Sequence, residues 1–211
     1  MDPVTVLFPT EAEAVPFRAL APAGVRIAIC GVGMAECAAA AAAAVAAGAR
    51  RLVLAGVAGA YPGSGIGKGE AVWVEREHIA DLGAMRRTET EGGGSRTRQP
   101  HCGEHPEAGL RFVPLYTEFY SADWEFRAPL KRAEGHTVDC AGGAGVSGRT
   151  GIENMEGAAF FAVCAALGVR SAQVRGISNL VGEARSQWCI GAAAEAAARA
   201  LLDVLGKEPQ R

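Results

Sequence analysis

The sequence predicts an α/β fold in one domain covering residues 1–211, and three observations carry that expectation. Short β-branched runs alternate with longer alanine-rich helical patterns, the mark of βαβ units rather than of a sandwich or a bundle. Several of the runs leave on glycine pairs, where chain reversals and close approaches gather. With 211 residues, 49% of them hydrophobic and 21% charged, the chain can bury one substantial core and is not a disordered or collagen-like sequence.

The first expected strand is Val4 to Phe8. A second, Val25 to Cys30, exits through Gly31-Val32-Gly33, after which Met34 to Gly48 reads as a helix closed by glycine. Arg51 to Ala55 is nearly unbroken in its apolar character, as expected of a strand covered on both faces. It leaves through Gly56-Val57-Ala58-Gly59 and a turn-rich segment, before another strand from Glu70 to Glu75. Arg86 to Gly109 is polar, glycine-rich and without period, and reads as a long lid-like excursion. Arg111 to Leu115 and His136 to Cys140 are weaker strands around the aromatics Tyr116, Phe119, Tyr120, Trp124 and Phe126. Met155 to Leu167 is a helix and Ser171 to Ile177 a strand. A last amphipathic helix, Gln187 to Leu205, offers Trp188, Ile190, Leu201, Leu202 and Leu205 to the core.

Charge excludes several classes of partner. Lysine plus arginine number 21 against 23 acids, a formal charge of −2, and the bases are scattered, so there is no electrostatic footprint for nucleic acid or anionic membrane. The N-terminus carries acids where a secretory signal needs bases, and the alanine run from Ala35 is too weakly hydrophobic to span a bilayer. Six cysteines at irregular spacings, mostly in apolar runs, read as buried thiols of a cytoplasmic protein. A small-molecule partner fits best, with no cofactor and no metal.

Two motifs that suggest cofactors are weak. Gly31-x-Gly33 resembles a dinucleotide turn, but the third glycine falls at Glu36, whose charge opposes a pyrophosphate at the helix start. His101-Cys102-Gly103-Glu104-His105 has no second ligand pair at zinc-like spacing and reads as structural or adventitious. Ligands of an α/β sheet collect beyond the carboxyl ends of strands. Here those ends carry Thr10 to Glu13, Gly31 to Gly33, Gly56 to Gly59, and Ser178-Asn179. Carboxylates such as Glu13 and Glu156 at apolar strand and helix ends cost desolvation free energy unless a ligand or water holds them. Taken alone, Glu13 reads as a helix N-cap or a solvated surface acid rather than as a functional group.

Gly31-Val32-Gly33-Met34, Gly56-Val57-Ala58-Gly59-Ala60, Glu153-Asn154-Met155-Glu156-Gly157-Ala158-Ala159 and Arg175-Gly176-Ile177-Ser178-Asn179 occur in the order of the nucleoside phosphorylase and nucleosidase superfamily, which the sequence resembles over nearly its whole length. Asn-Met-Glu-Gly-Ala-Ala, and Arg-Gly-Ile-Ser-Asn followed by Arg185 and Trp188, are most similar to the futalosine hydrolase branch, which serves menaquinone biosynthesis. The resemblance implies a three-layer α/β/α sandwich with a central mixed β-sheet, a homodimer, and cleavage of the N-glycosidic bond between ribose and purine. It makes Glu13 the acid that positions the attacking water and Glu156 the acid that binds ribose hydroxyls. Met155 packs against the sugar, and Gly33, Gly56, Val57, Ala58 and Ser178 complete the substrate site. Tyr120 and Trp124 are candidates for contact with the rest of the substrate.

Asn179 falls where the related methylthioadenosine/S-adenosylhomocysteine nucleosidases place an aspartate that protonates the leaving adenine. An amide cannot transfer a proton, but it offers donors to ring nitrogen 7 and to a six-position oxygen, which suits hypoxanthine. The expected reaction is therefore hydrolysis of futalosine to hypoxanthine and dehypoxanthine futalosine. The alternatives are the adenine-releasing nucleosidase, a purine nucleoside phosphorylase using Arg26 or Arg149 for phosphate, and a nucleoside-binding module without turnover.

Overall fold

The computed structural model describes residues 3–20, 23–87, 110–120, 129–142 and 149–206. Ten strands and four α-helices follow one another in these segments: β1 (Val4–Phe8), α1 (Glu11–Ala19), β2 (Val25–Ile29), α2 (Met34–Ala46), β3 (Arg51–Ala60), β4 (Ala71–Ile79), β5 (Gly83–Arg87), β6 (Leu110–Pro114), β7 (Phe119–Tyr120), β8 (Lys131–Thr137), β9 (Ile152–Asn154), α3 (Gly157–Ala166), β10 (Arg170–Leu180) and α4 (Ile190–Gly206). The mixed sheet and flanking helices agree with the expected architecture.

Eight strands form one sheet. β2, β1, β3 and β10 run parallel, and β10 continues antiparallel into β4, then β8 and β9. β9 returns to the far end of β3, pairing Gly59 with Glu153, so the sheet closes on itself through β3. The length of β3 makes this possible: Leu52 to Leu54 pair with β1, and Gly59 and Ala60 pair with β9 on the same flank. Gly56 to Gly59, expected as a loop leaving a shorter strand, is therefore strand.

Alternation of side chains builds two cores. Leu7, Leu52 and Leu54 face Cys37, Phe160, Phe161 and Cys164 on α2 and α3. Val6, Phe8, Val53 and Ala55, one residue out of phase, face Phe17 on α1 and Leu201 and Val204 on α4. Burying an aliphatic or aromatic side chain of this size contributes about 1.5–3 kcal/mol, and both faces of β1 and β3 contribute. α4 turns Ala193, Ala197, Leu201 and Val204 inward at helical spacing. Trp188 precedes the helix and is not part of this core.

Three further differences matter. α1 was hidden by Pro16, yet Thr10 caps its start and Glu11 and Glu13 lie in its first turn, where acids meet the positive end of the helix dipole. β6, at the expected Arg111–Leu115 strand, does not join the main sheet but pairs with β5 in a separate ladder. Arg86 and Arg87 end β5, and the remainder of the expected excursion lies outside the described residues, as do the His101–His105 cluster, Trp124 and Phe126. The cysteines also depart from expectation. Cys30, Cys37 and Cys164 are buried free thiols and Cys189 is an exposed one, but Cys140 is disulfide-bonded. The inference of a reducing compartment therefore loses its premise. Among the described residues no helix is long and apolar enough to cross a membrane.

Candidate active site

A cavity of about 440 Å³ opens where α1, β3, β9, β10 and the start of α4 converge. Glu13, Val57, Ala58, Met155, Glu156, Ser178 and Asn179, all singled out from sequence, line it. Gly33 and Gly56 act from behind the wall rather than in it.

Glu13 is delivered by the first turn of α1, whose cap is Thr10. One carboxylate oxygen accepts from the Thr10 hydroxyl at 2.7 Å and the other from the Val57 backbone N–H at 2.8 Å. Gly56 is what permits this approach: a Cβ there would stand 2.5 Å from Glu13 Oε2 and 3.0 Å from Arg175 Nη1. Two lone-pair positions on the carboxylate remain for a ligand or water.

Glu156 sits just before α3. Its Oε1 accepts from the Gly33 N–H at 3.1 Å and its Oε2 from Arg175 Nη2 at 3.0 Å, with both side chains almost wholly buried. Arg175 is the residue the sequence reading underrated. It is 1% exposed in the middle of β10, and its guanidinium also reaches the side-chain oxygen of Asn154 at 3.2 Å and the Val57 carbonyl at 3.3 Å. An arginine inside an otherwise apolar strand is itself a signal, because a buried charge must find partners. Burial opposes its charge, but Glu156, Glu13 and Glu77 around it hold the guanidinium above its ordinary range.

Behind Arg175 lies a second polar layer. Glu77, fully buried on β4, accepts from Asn154 at 2.7 Å, Gln173 at 2.8 Å and Thr137 at 3.0 Å. Burial pushes its carboxyl up to about 7, against the pull of Arg175 and these donors. Asn154 in turn accepts from the backbone N–H groups of Glu156 and Gly157. Glu77 thus fixes Asn154, and Asn154 fixes the turn that presents Glu156.

Asn179 lies on the far side of the cavity, over Gly59, where a Cβ would come within 2.9 Å of its Nδ2. Its oxygen accepts from the Ser178 hydroxyl at 2.7 Å, and its Nδ2 donates to the Leu180 carbonyl at 3.0 Å. These partners set the amide's orientation, since the flipped form would face two carbonyl oxygens together. They also correct the expectation of two donors for a base, because one N–H is committed and a single N–H remains.

Glu153, not anticipated as a site residue, is 3% exposed and lines the same cavity. Its carboxylate accepts from the Gly142 N–H at 2.6 Å and from the Tyr61 hydroxyl at 3.3 Å, and burial raises its pKa above the ordinary carboxylate value. Arg185, stacked 4.3 Å from the ring centre of Trp188, closes the rim together with that indole. Tyr120 is elsewhere, beside Glu75, Arg76 and Glu134. Neither Arg26 nor Arg149 lines the cavity; Arg149 binds the Ala80 carbonyl and the Tyr61 hydroxyl. Glu36, at the position of the dinucleotide motif's third glycine, has its side chain folded over Gly31. Among the described residues no three His, Cys, Asp or Glu side chains are grouped to hold a metal ion.

Comparisons with known proteins bear on the family and the fold. Residues 147–206, which carry Glu153, Glu156, Arg175 and Asn179, match the family model of the Phosphorylase superfamily. A futalosine hydrolase from Thermus thermophilus is 34% identical over 171 residues, covering 75% of this chain and 70% of that protein. A futalosine hydrolase mutant from Helicobacter pylori superposes with a TM-score of 0.73 at 16% identity, over 99% of this chain and 100% of that one. A 5'-methylthioadenosine/S-adenosylhomocysteine nucleosidase from Neisseria meningitidis, in complex with methylthio-immucillin-A, gives 0.73 at 18% identity over 99% and 100%. At such identities the two structures speak for the fold, and the Thermus relative carries the assignment. The chain belongs to the futalosine hydrolase family.

Proposed function

We propose that the protein hydrolyses the N-glycosidic bond of futalosine, releasing hypoxanthine and dehypoxanthine futalosine, in menaquinone biosynthesis. The observation that carries this reading is the convergence of Glu13, Glu156 and Asn179 on one cavity. Glu13 holds a water and takes its proton as the water oxygen bonds to the anomeric carbon. The electron pair of the breaking carbon–nitrogen bond goes to the purine, and solvent protonates the departed base. Glu156, already oriented by Gly33 and Arg175, keeps two lone-pair positions for the vicinal ribose hydroxyls. Asn179 donates its remaining N–H to ring nitrogen 7, stabilising the charge that develops there.

Water rather than phosphate is the favoured nucleophile. Glu13, Glu153 and Glu156 line the cavity against Arg175, whose terminal nitrogens are already engaged, and Arg185 at the rim. A second anion would enter a field of its own sign.

The test is a substrate panel in phosphate-free buffer. Hypoxanthine should be released from futalosine, with methylthioadenosine and S-adenosylhomocysteine cleaved poorly. Adenine release from methylthioadenosine would make the protein the other nucleosidase, strict phosphate dependence a phosphorylase, and tight binding without release a binding module. The same reading includes a homodimer. Exposed Val15 on α1 and Val32 at the cavity mouth leave apolar surface for a second copy. Sedimentation as a monomer at micromolar concentration would remove the dimer.

A further inference from the structure

The cavity has a deep part and a rim, and the two differ in character. Glu13, Glu156, Arg175 and Asn179 are buried, whereas Val32 and Arg185 are exposed and Trp188 and Ile190 half-buried. With the base held by Asn179 and the vicinal hydroxyls by Glu156, the deep part is committed. The 5' carbon of the sugar is then the position from which a substituent runs outward, and the rim is what such a substituent meets.

That rim is apolar with one exception. Arg185 is the one charged side chain among its exposed residues, and among the described residues no carboxylate pairs with it. Arg175, the other cation of the cavity wall, is engaged by Glu156, Asn154 and the Val57 carbonyl. The Arg185 guanidinium instead lies 4.3 Å from the centre of the Trp188 ring. An aromatic face supplies no hydrogen-bond acceptor in the usual sense, so the N–H donors of Arg185 keep their capacity for an anion while the indole restricts where they lie.

The indole is itself held in place. Its Nε1 donates to the Glu183 carbonyl at 3.2 Å, and the Glu183 carboxylate accepts from the Leu180 N–H at 3.1 Å and from Lys68 Nζ at 3.1 Å. Lys68 also reaches the Gln187 carbonyl at 3.4 Å, and the Cys189 N–H donates to the Ser178 carbonyl at 2.8 Å. The segment from Leu180 to Cys189 is thus tied at both ends and in its middle, and it carries Arg185 to the cavity mouth as a positioned cation. An anion deeper in would meet Glu13, Glu153 and Glu156, whereas at the rim it meets a charge of opposite sign.

We propose that Arg185 is the specificity-determining residue for the 5' substituent, binding a carboxylate carried on an apolar body that Val32, Trp188 and Ile190 receive. The substrate class is then a purine nucleoside extended at its 5' carbon by a hydrophobic acid, and a neutral extension of the same shape is the poorer substrate.

The inference rests on the reading of the cavity as a nucleoside hydrolase site, and its test separates the two. Hypoxanthine release in phosphate-free buffer is measured for inosine bearing a carboxybenzylthio group at the 5' carbon and for the methyl ester of the same compound, with the wild type, Arg185→Gln and Arg185→Glu. The ester keeps the aromatic body and removes the charge. The wild type should favour the acid by about tenfold in kcat/KM, the scale of one charge-assisted hydrogen bond to a positioned cation, and mostly through KM because the carboxylate is remote from the breaking bond. Raising the salt should shrink that preference. In Arg185→Gln the ratio should fall to about twofold or less, and Arg185→Glu should favour the ester. A merely structural role for the contact with Trp188 would lower both substrates alike and leave the ratio unchanged, which overturns the proposal. If neither variant folds, the wild type decides: equal kcat/KM for acid and ester overturns the role of Arg185. A wild type that releases hypoxanthine from neither compound nor from futalosine overturns the hydrolase reading itself, and the subsite with it.

Discussion

Replacing Glu156 by glutamine tests the centre of the site, because the change is isosteric and its cost follows from two donors. Gly33 N–H and Arg175 Nη2 both point at the carboxylate, at 3.1 and 3.0 Å. A carboxamide has one oxygen and one NH2, so in either orientation one donor faces another donor. If the oxygen turns to Gly33, the Arg175 guanidinium loses the one carboxylate directly paired with it among the described residues, while wholly buried. Removing one partner of a buried pair costs about 3–5 kcal/mol. The Asn154 and Val57 oxygens remain on Arg175, so a loss of about 3 kcal/mol is expected, or roughly 6–12 °C in melting temperature for a chain of this size. Catalysis should suffer separately. Two hydrogen bonds from ribose hydroxyls to a charged acceptor, at about 1.5–3 kcal/mol each, correspond to a fall in kcat/KM of about 10²–10⁴-fold. The assays are thermal unfolding and hypoxanthine release under phosphate-free conditions. A melting temperature within about 2 °C of the wild type would refute the donor conflict. Equal cleavage of ribo- and 2'-deoxyribonucleosides by the wild type would refute the role in ribose recognition.

Three other outcomes follow from the same geometry. Glu13→Gln should abolish turnover while leaving base and nucleoside affinity within a few fold, since the amide cannot take the proton of a water; single-turnover kinetics with binding measurements would check this, and retained turnover would remove the general base. Asn179→Asp puts a second oxygen against the Leu180 carbonyl, which favours the protonated acid, so release of adenine from six-amino nucleosides should rise by about tenfold; an unchanged substrate profile would contradict the placement of the base. Glu77, with its carboxyl raised to about 7, holds a proton more tightly in the folded chain than in the unfolded one. Its contribution to stability is therefore fully present below about pH 4.5 and lost as the pH rises through 7, by at most about 1.4 kcal/mol per pH unit. Glu77→Gln should flatten that part of the stability curve, and parallel curves for the two proteins between pH 5 and 8 would show that Glu77 does not titrate there.

Local pattern was enough for the elements whose signal repeats along the chain. The β-branched run Val4 to Phe8 and the apolar Arg51 to Ala55 became strands, and the alanine-rich segments became α2 and much of α4, because strand and helix periods are written in consecutive residues. Glu13, Glu156 and Asn179 could be picked out because carboxylates and amides at apolar strand and helix ends are costly without a partner. What those residues touch was decided elsewhere. The length of β3 beyond Ala55 is set by its pairing with β9 and β10, and no window of sequence contains that pairing. Arg175 becomes the hub of the site only when Glu156, Asn154 and Val57, drawn from three separate stretches, close around it. Asn179 has one of its two N–H donors taken by the Leu180 carbonyl, which its residue type alone does not reveal. Glu153 reads in sequence as one more acid before a helix, and only the fold brings it into the wall of the cavity that also holds Asn179. Residue type fixes which bonds a side chain is able to make, and the long-range pairing of strands decides which partners it meets.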